Sequence, residues 1–215
     1  MYQNLWENAI VVFANYHQAT IGKNFRYNRV QSRFLVWCVS GEGKLEVNGK
    51  KFHMSPGTML FVPWNHSIAY LGNPEKLFRL GCIHIIPDLP DDPDFFGAFH
   101  QATPECDEYH LRHDEFLPGF EEIGEFHLPL DHSLLRLGAY VIDRYQKNCP
   151  PFLLRLLPRL LLFELYEVHH KRATHGRSTY PIALQKMLDV IEHYLEAEIN
   201  ITMFVNNSGL SQAGV

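Results

Sequence analysis

The sequence has only four cysteines in 215 residues, and no two of them form a CxxC pair. This scarcity excludes a disulfide-stapled secreted scaffold and favours a reducing compartment. No unbroken apolar run reaches the roughly 20 residues that a membrane-spanning helix needs. The N-terminus also lacks the basic start and the cleavage site of a signal peptide. We therefore expect a soluble, cytoplasmic protein without a membrane partner.

Positive charge is scarce as well. The chain carries 19 Lys and Arg against 24 Asp and Glu, which gives a formal net charge of −5 at pH 7. This balance argues against a chain that grips nucleic acid by bulk electrostatics. A hydrophobic content of 46% is ordinary for a globular protein, and the length allows one good core with a small second domain.

Short strand-like runs separated by tight turns fill the first part of the chain. The run 34–39 is rich in aromatic and β-branched residues, and Leu45 and Val47 alternate with charged residues. The Asn48-Gly49 pair that follows is typical of a type I′ hairpin turn. The even spacing predicts an antiparallel barrel or jelly roll over about residues 20–87. An earlier apolar run at 10–14 is either an arm that closes over the barrel or one of its edge strands.

The pattern becomes helical at Ser133, which is available as an N-cap. A second helix is predicted over 152–168, with Pro158 expected to kink or split it. This helix is apolar almost all round and must be buried, either against the chain's own barrel or in a dimer. The connection at 88–132 is acidic and rich in proline, and we expect its five histidines to be solvated rather than to bind metal.

The C-terminal part contains a predicted linker and a helix-turn-helix pattern. Residues 169–180 are polar and basic, as in an interdomain linker, and Pro181 suits the first turn of a new helix. In the stretch 200–211 the pattern places Ser211 as the N-cap of a recognition helix. Gln212 then has the one side chain able to read a base edge before the sequence ends.

Two sets of these motifs resemble one family. Turn motifs recur in a fixed order and are followed by a histidine: Gly41-x-Gly43, Asn48-Gly49, Pro56-Gly57, Pro63 and His66, with Asn28-Arg29 upstream and Ile83-His84-Ile85 downstream. In this order they resemble the sensor cupin of AraC/XylS-type transcriptional regulators. The stretch 200–211 resembles the first helix-turn-helix of the same family's DNA-binding domain. Val205 departs from the small residue that the family prefers there.

The resemblance implies an α+β chain with three parts. These are a cupin effector-binding and helical dimerisation domain at 1–168, a linker at 169–180, and the N-terminal part of a helix-turn-helix domain at 181–215. It also implies a homodimer that senses a small molecule, with a sugar or related polar metabolite as the expected effector. Because so little of the DNA-binding domain is present, we expect specific DNA binding only from a full-length form.

Metal chemistry is not expected. Metal cupins usually offer two His one residue apart on a strand, and the strand after Gly41 has no His. We therefore expect no metal, no cofactor and no catalytic residue. The alternatives are a metal-dependent cupin enzyme, or a stand-alone module for ligand binding or dimerisation.

The candidate effector-binding residues are aromatic or carry hydrogen-bonding groups. Stacking surface is expected from Trp37, Trp64 and Tyr70, and hydrogen bonds from Arg29, Arg33, His66 and His84. Each residue also has a purely structural interpretation, since alternation separates the two faces of a strand without telling which is the inner one. His84 points into the barrel if its neighbours Ile83 and Ile85 pack outward against the helices.

Overall fold

The computed structural model describes residues 6–19, 25–72, 78–89 and 109–173. The chain divides into two compact units. One comprises 4–161 and holds the sheets, and the other comprises 1–3 with 162–215. Of the second unit, the described residues are 162–173, the C-terminal part of a helix. The predicted helix-turn-helix stretch, with Ser211 and Gln212, lies outside the described residues.

Nine strands form two antiparallel sheets in the described part of the chain. Their bounds are β1 Ile10–Ala19, β2 Phe25–Val30, β3 Arg33–Ser40, β4 Gly43–Val47, β5 Lys50–Met54, β6 Thr58–Val62, β7 His66–Gly72, β8 Phe78–Ile86 and β9 Gly124–His127. The first sheet has the order β1-β8-β3-β6-β9 and the second the order β2-β7-β4-β5. Eight strands alternating between two sheets in this order make a jelly roll, so the predicted fold class is confirmed. The barrel begins earlier than predicted, because the run at Ile10 pairs with β8 as an edge strand.

The predicted turn at Asn48-Gly49 forms the connection between β4 and β5. Asn48 and Gly49 have φ of 50° and 81°, as the hairpin between β4 and β5 requires. The Oδ1 atom of Asn48 also accepts a hydrogen bond from the backbone N–H of Ser67, at 2.8 Å. This bond attaches the turn to β7.

The main core lies between the two sheets. One side chain in two along each strand faces inward, and the inner residues include Phe34, Val36, Leu45, Phe52 and Leu80. All are at most 3% exposed. Burying such side chains contributes about 1.5–3 kcal/mol each, which makes this interior the main source of stability for the barrel.

Two helices follow the barrel: α1 Ser133–Gln146 and α2 Pro151–Ala173. In α1 the cap is His132, whose Nδ1 accepts a hydrogen bond from the N–H of Leu134 at 3.2 Å. The prediction of Ser133 as the cap was therefore wrong by one residue, since an imidazole nitrogen can serve as the acceptor. Helix α1 packs on β1 and β8.

Helix α2 is continuous through Pro158, so of the two predicted effects of this proline the split does not occur, and the kink stays a prediction. Leu156, Leu157 and Leu160 are buried around this proline, and their burial outweighs the loss of one backbone hydrogen bond. The helix also continues to Ala173, so the first residues of the predicted linker are helical. Among the described residues, no helix is both long enough and apolar enough to span a bilayer.

The connection before α1 is more ordered than its composition suggests. It contains a short 3₁₀ helix, η1 Tyr109–Leu111, and β9, which extends the first sheet beside β6. Leu117, Phe120 and Phe126 of this connection are buried. His110, His113 and His127 are exposed, as predicted. His132 is instead partly buried as the cap of α1, and His100 lies outside the described residues.

Candidate functional site

The first part of the candidate site is set by the pairing of β3 with β8. Phe34 lies directly opposite His84, and both face the interior shared by the two sheets. Ile83 and Ile85 lie on the other face of β8, so His84 has the inward orientation that the sequence allowed. The rings of Phe34 and His84 stack, with their centroids 4.2 Å apart and an interplanar angle of 17°. Nδ1 of His84 is 2.8 Å from the Ser32 hydroxyl, and both residues are buried.

His66 enters the same cluster from the opposite sheet. It is the first residue of β7, pairs with Val30 of β2, and is 0% exposed. Its ring stacks near Phe34, with centroids 5.9 Å apart at 14°. Its Nδ1 lies 2.8 Å from the carbonyl oxygen of Pro63. Burial lowers the pKa of His66 to about 4, although the hydrogen bond to Pro63 opposes this shift.

A second group of polar and aromatic side chains surrounds Tyr70. The ring centroids of His17 and Tyr70 are 4.7 Å apart, and Tyr27 meets Tyr70 edge to face at 6.3 Å. Burial raises the pKa of Tyr70 well above its usual value, raises that of Cys82 to about 12 and lowers that of His17. All three groups are therefore uncharged at neutral pH.

The arrangement provides uncharged hydrogen-bonding groups among aromatic rings. Imidazole, hydroxyl and phenol groups can accept or donate hydrogen bonds without a buried charge. In the described ranges, no three His, Cys, Asp or Glu side chains converge closely enough to hold a metal ion. Groups of this kind are able to bind a small molecule that has both apolar and polar parts.

Arg33 lies on the other face of β3. Its guanidinium pairs with Asp114 and donates hydrogen bonds to the carbonyl oxygens of Glu115 and Phe120. The side chain is only 4% exposed. These contacts give Arg33 a structural role in holding the connection before α1; its predicted contact with an effector stays a prediction.

Trp37 also lies outside the interior. It occupies the same face of β3 as Arg33, and its indole lies against Gly81 of β8 and Gly138 of α1. Both glycines leave room for the ring, since a Cβ at Gly138 would lie 2.8 Å from Cη2 of Trp37. Trp37 is thus packed between the sheet and the helix, away from the cluster around Phe34.

The remaining predicted residues occupy different surroundings. Arg29 is exposed at an irregularity of β2, where it adopts a φ of 54°. Trp64 is partly exposed in the bend between β6 and β7, two residues before His66. The structure therefore brings His66 and His84 together around Phe34, places Tyr70 in the neighbouring group, and separates the other four from them.

Several residues of the two groups were not predicted: Phe13, His17, Tyr27, Ser32, Phe34 and Cys82. A signal for Phe34 was present, since alternation puts it on the face opposite Trp37. Nothing in the sequence pairs Phe34 with His84, because the two are 50 positions apart and only strand pairing brings them together.

Comparison with known proteins gives no family model and no curated protein that matches the chain. Solved structures do match, at low identity. The plu4264 protein from Photorhabdus luminescens is 13% identical, with a TM-score of 0.32 over 33% of this chain and 59% of that one. A cupin protein from Bacteroides fragilis is 16% identical, with a TM-score of 0.31 over 34% and 63%. This chain thus covers less than two thirds of the length of each of these two proteins.

ToxT from Vibrio cholerae matches over more of the chain. Its structure bound to an (E)-4-(8-methylnaphthalen-1-yl)but-3-enoic acid is 9% identical, with a TM-score of 0.41 over 93% of this chain and 72% of that one. All three TM-scores are low, so the fold assignment rests on the strand order of the chain itself.

Proposed function

We propose that this chain is the sensor part of an AraC-type transcriptional regulator and that it binds a small effector between its two sheets. The observation that carries the proposal is the cluster of His66, His84 and Ser32 around Phe34 in the barrel interior. The regulatory half of the proposal rests on the motif resemblance of the sequence, including the stretch 200–211.

Buried imidazole and hydroxyl groups contribute less to the stability of a protein interior than apolar side chains do. Desolvating a polar group without a hydrogen bond costs about 1–3 kcal/mol, whereas an apolar side chain of the same size contributes stability. His66 is nevertheless fully buried between the sheets, and its pKa of about 4 shows how far burial disfavours its charged form. Polar groups retained at this cost are typical of a binding site.

The finer features of the proposal come from the family resemblance. They are a sugar or related polar metabolite as effector, a homodimer formed through the helices after the barrel, and DNA binding by a longer form in the cytoplasm. We propose a binding role without catalysis. Effector binding would act on the regulator through different affinities for its two states.

A thermal-shift screen of the 215-residue chain tests the binding proposal. The panel would contain sugars, phenols, alcohols and small carboxylic acids at millimolar concentrations. A compound present at 100 times its Kd stabilises the native state by about 2.7 kcal/mol, which raises the Tm by several degrees. The control is His53→Asn, because His53 is exposed on β5 and should leave every response unchanged.

The contrary results are equally definite. Failure of the whole panel to raise the Tm would overturn the binding proposal. Stoichiometric Fe, Mn or Zn in the purified protein, lost together with a turnover activity on chelation, would replace it with a metal-dependent cupin enzyme.

A further inference from the structure

The two nitrogens of the His66 ring have different partners. Nδ1 lies 2.8 Å from the carbonyl oxygen of Pro63. A carbonyl oxygen only accepts hydrogen bonds, so Nδ1 must carry the hydrogen and donate it. In a neutral imidazole the other nitrogen then has no hydrogen. Nε2 of His66 is therefore an acceptor.

This acceptor is buried and has no donor within the described part of the chain. Nε2 of His66 has almost no accessible surface, and among the described residues no side chain or backbone group forms a hydrogen bond with it. The residue itself is 0% exposed and lies on the inner face of β7, beside the ring of Phe34. A buried acceptor left without a donor is uncommon in native structures and costs about as much as a lost hydrogen bond.

We propose that Nε2 of His66 accepts a hydrogen bond from the effector, so that the site takes uncharged molecules carrying a hydroxyl or N–H donor. This inference rests on the proposed function and narrows it to a class of ligand. Sugars, phenols and other alcohols belong to the class. Their methyl ethers, which keep the ring and the oxygen but replace the donor hydrogen with a methyl group, do not.

Carboxylates are disfavoured for a definite reason. A carboxylate offers no hydrogen, so it could pair with Nε2 of His66 only if the ring took up a proton. With a pKa of about 4, protonation at pH 7 carries a penalty of about a thousandfold in affinity, less whatever the anion recovers by pairing with the cation. The same ring accepts from a hydroxyl without any change of charge.

The neighbouring imidazole provides a useful contrast. Nδ1 of His84 lies 2.8 Å from the Ser32 hydroxyl, and the ring of His84 stacks on that of Phe34. The Nδ1 atom of His84 is thus engaged within the protein. The need for a hydrogen-bond donor on the ligand therefore comes from Nε2 of His66.

The experiment compares pairs of compounds that differ in one donor. Phenol is paired with anisole and cyclohexanol with methoxycyclohexane, with benzoate as the anionic probe, together with any sugar from the thermal-shift screen and its O-methyl derivative. The test variant is His66→Asn, whose amide nitrogen lies near the position of Nδ1 and keeps a donor for the Pro63 carbonyl while removing Nε2. His53→Asn is the matched control, because it is the same substitution at an exposed strand position.

We expect each alcohol to bind the wild type about five- to tenfold more tightly than its ether, the value of one hydrogen bond. The difference should disappear in His66→Asn and persist in His53→Asn. A ¹⁵N spectrum of histidine-labelled wild-type chain should show Nε2 of His66 without a hydrogen at pH 7, and its resonance should shift when phenol is added but not when anisole is added. The spectrum needs no variant, so it remains decisive if His66→Asn does not fold.

Three results would overturn the inference while leaving the proposed function standing. They are equal binding of alcohols and ethers, tightest binding by benzoate, and a hydrogen found on Nε2 of His66 in the free chain. Absence of binding by every compound would instead overturn the proposed function, and the inference with it.

Discussion

The guanidinium of Arg33 and the carboxylate of Asp114 form a two-point ion pair, with Nε 2.8 Å from Oδ1 and Nη2 3.1 Å from Oδ2. The two residues are 81 positions apart in the sequence. Further bonds run from Arg33 to the carbonyl oxygens of Glu115 and Phe120, at 3.0 and 3.1 Å. One buried side chain thus holds several backbone and side-chain groups of the connection before α1.

We predict that Arg33→Met destabilises the protein by about 3 kcal/mol, because it leaves the buried carbonyl oxygen of Phe120, the part-buried one of Glu115 and the Asp114 carboxylate without their donor. Urea unfolding followed by circular dichroism measures the change. Arg26→Met is the control: Arg26 pairs with Glu46 at 2.7 Å, but its side chain is 54% exposed, and its loss should cost at most about 1 kcal/mol. Equal effects of the two substitutions would contradict the structural role of Arg33.

Gly81 is predicted to contribute to stability because the Trp37 indole occupies the space of a Cβ there. Gly81→Ala should destabilise by about 1–3 kcal/mol through overpacking. In the double variant with Trp37→Phe, the smaller ring should recover part of the loss, giving a favourable coupling energy in a double-mutant cycle. If Gly81→Ala is as stable as the wild type, Trp37 does not lie against β8 as described.

Tyr140 and Tyr145 of α1 make a matched pair. The hydroxyl of Tyr145 donates to the carbonyl oxygen of Val12 at 2.8 Å, whereas that of Tyr140 is buried with no hydrogen-bond partner among the described residues. Tyr145→Phe should therefore cost about 1 kcal/mol, while Tyr140→Phe should be neutral or stabilising. Chemical denaturation of both variants checks the difference, and the reverse order would refute the assignment of partners.

The pKa of His66 predicts a dependence of stability on pH. Its pKa is lowered from 6.5 to about 4 in the folded chain, so below pH 6.5 the unfolded chain binds a proton that the folded chain does not. This contribution is fully present above pH 6.5 and is lost as the pH falls to about 4, amounting to about 3 kcal/mol.

The measurement compares the free energy of unfolding of the wild type and of His66→Phe between pH 7 and pH 4. The wild type should lose about 3 kcal/mol more than the variant over this range. His17, whose pKa burial also lowers, adds a loss of the same sign to both proteins and so cancels in the comparison. Parallel pH profiles would show that His66 is not buried in its neutral form.

Local features of the chain were predictable because they depend on neighbouring residues. The pair Asn48-Gly49 requires positive φ at both positions, and the hairpin forms there. The alternation of the strands gave the jelly roll, and the helical periodicity placed the start of α1 at Ser133. Strand β9 escaped prediction because four residues in a polar connection carry too little pattern.

What the sequence by itself determined is therefore the type of fold and the two alternating sets of side chains on each strand. Which set faces inward was decided by the tertiary structure: Phe34 and His84 lie between the sheets, while Trp37 and Arg33 pack on the outside. A period of two is the same for either choice, and only packing against a second sheet or a helix distinguishes them. The tertiary structure also decided that Nε2 of His66 is a buried acceptor, since this depends on the burial of the ring and on the contact of Nδ1 with the carbonyl oxygen of Pro63.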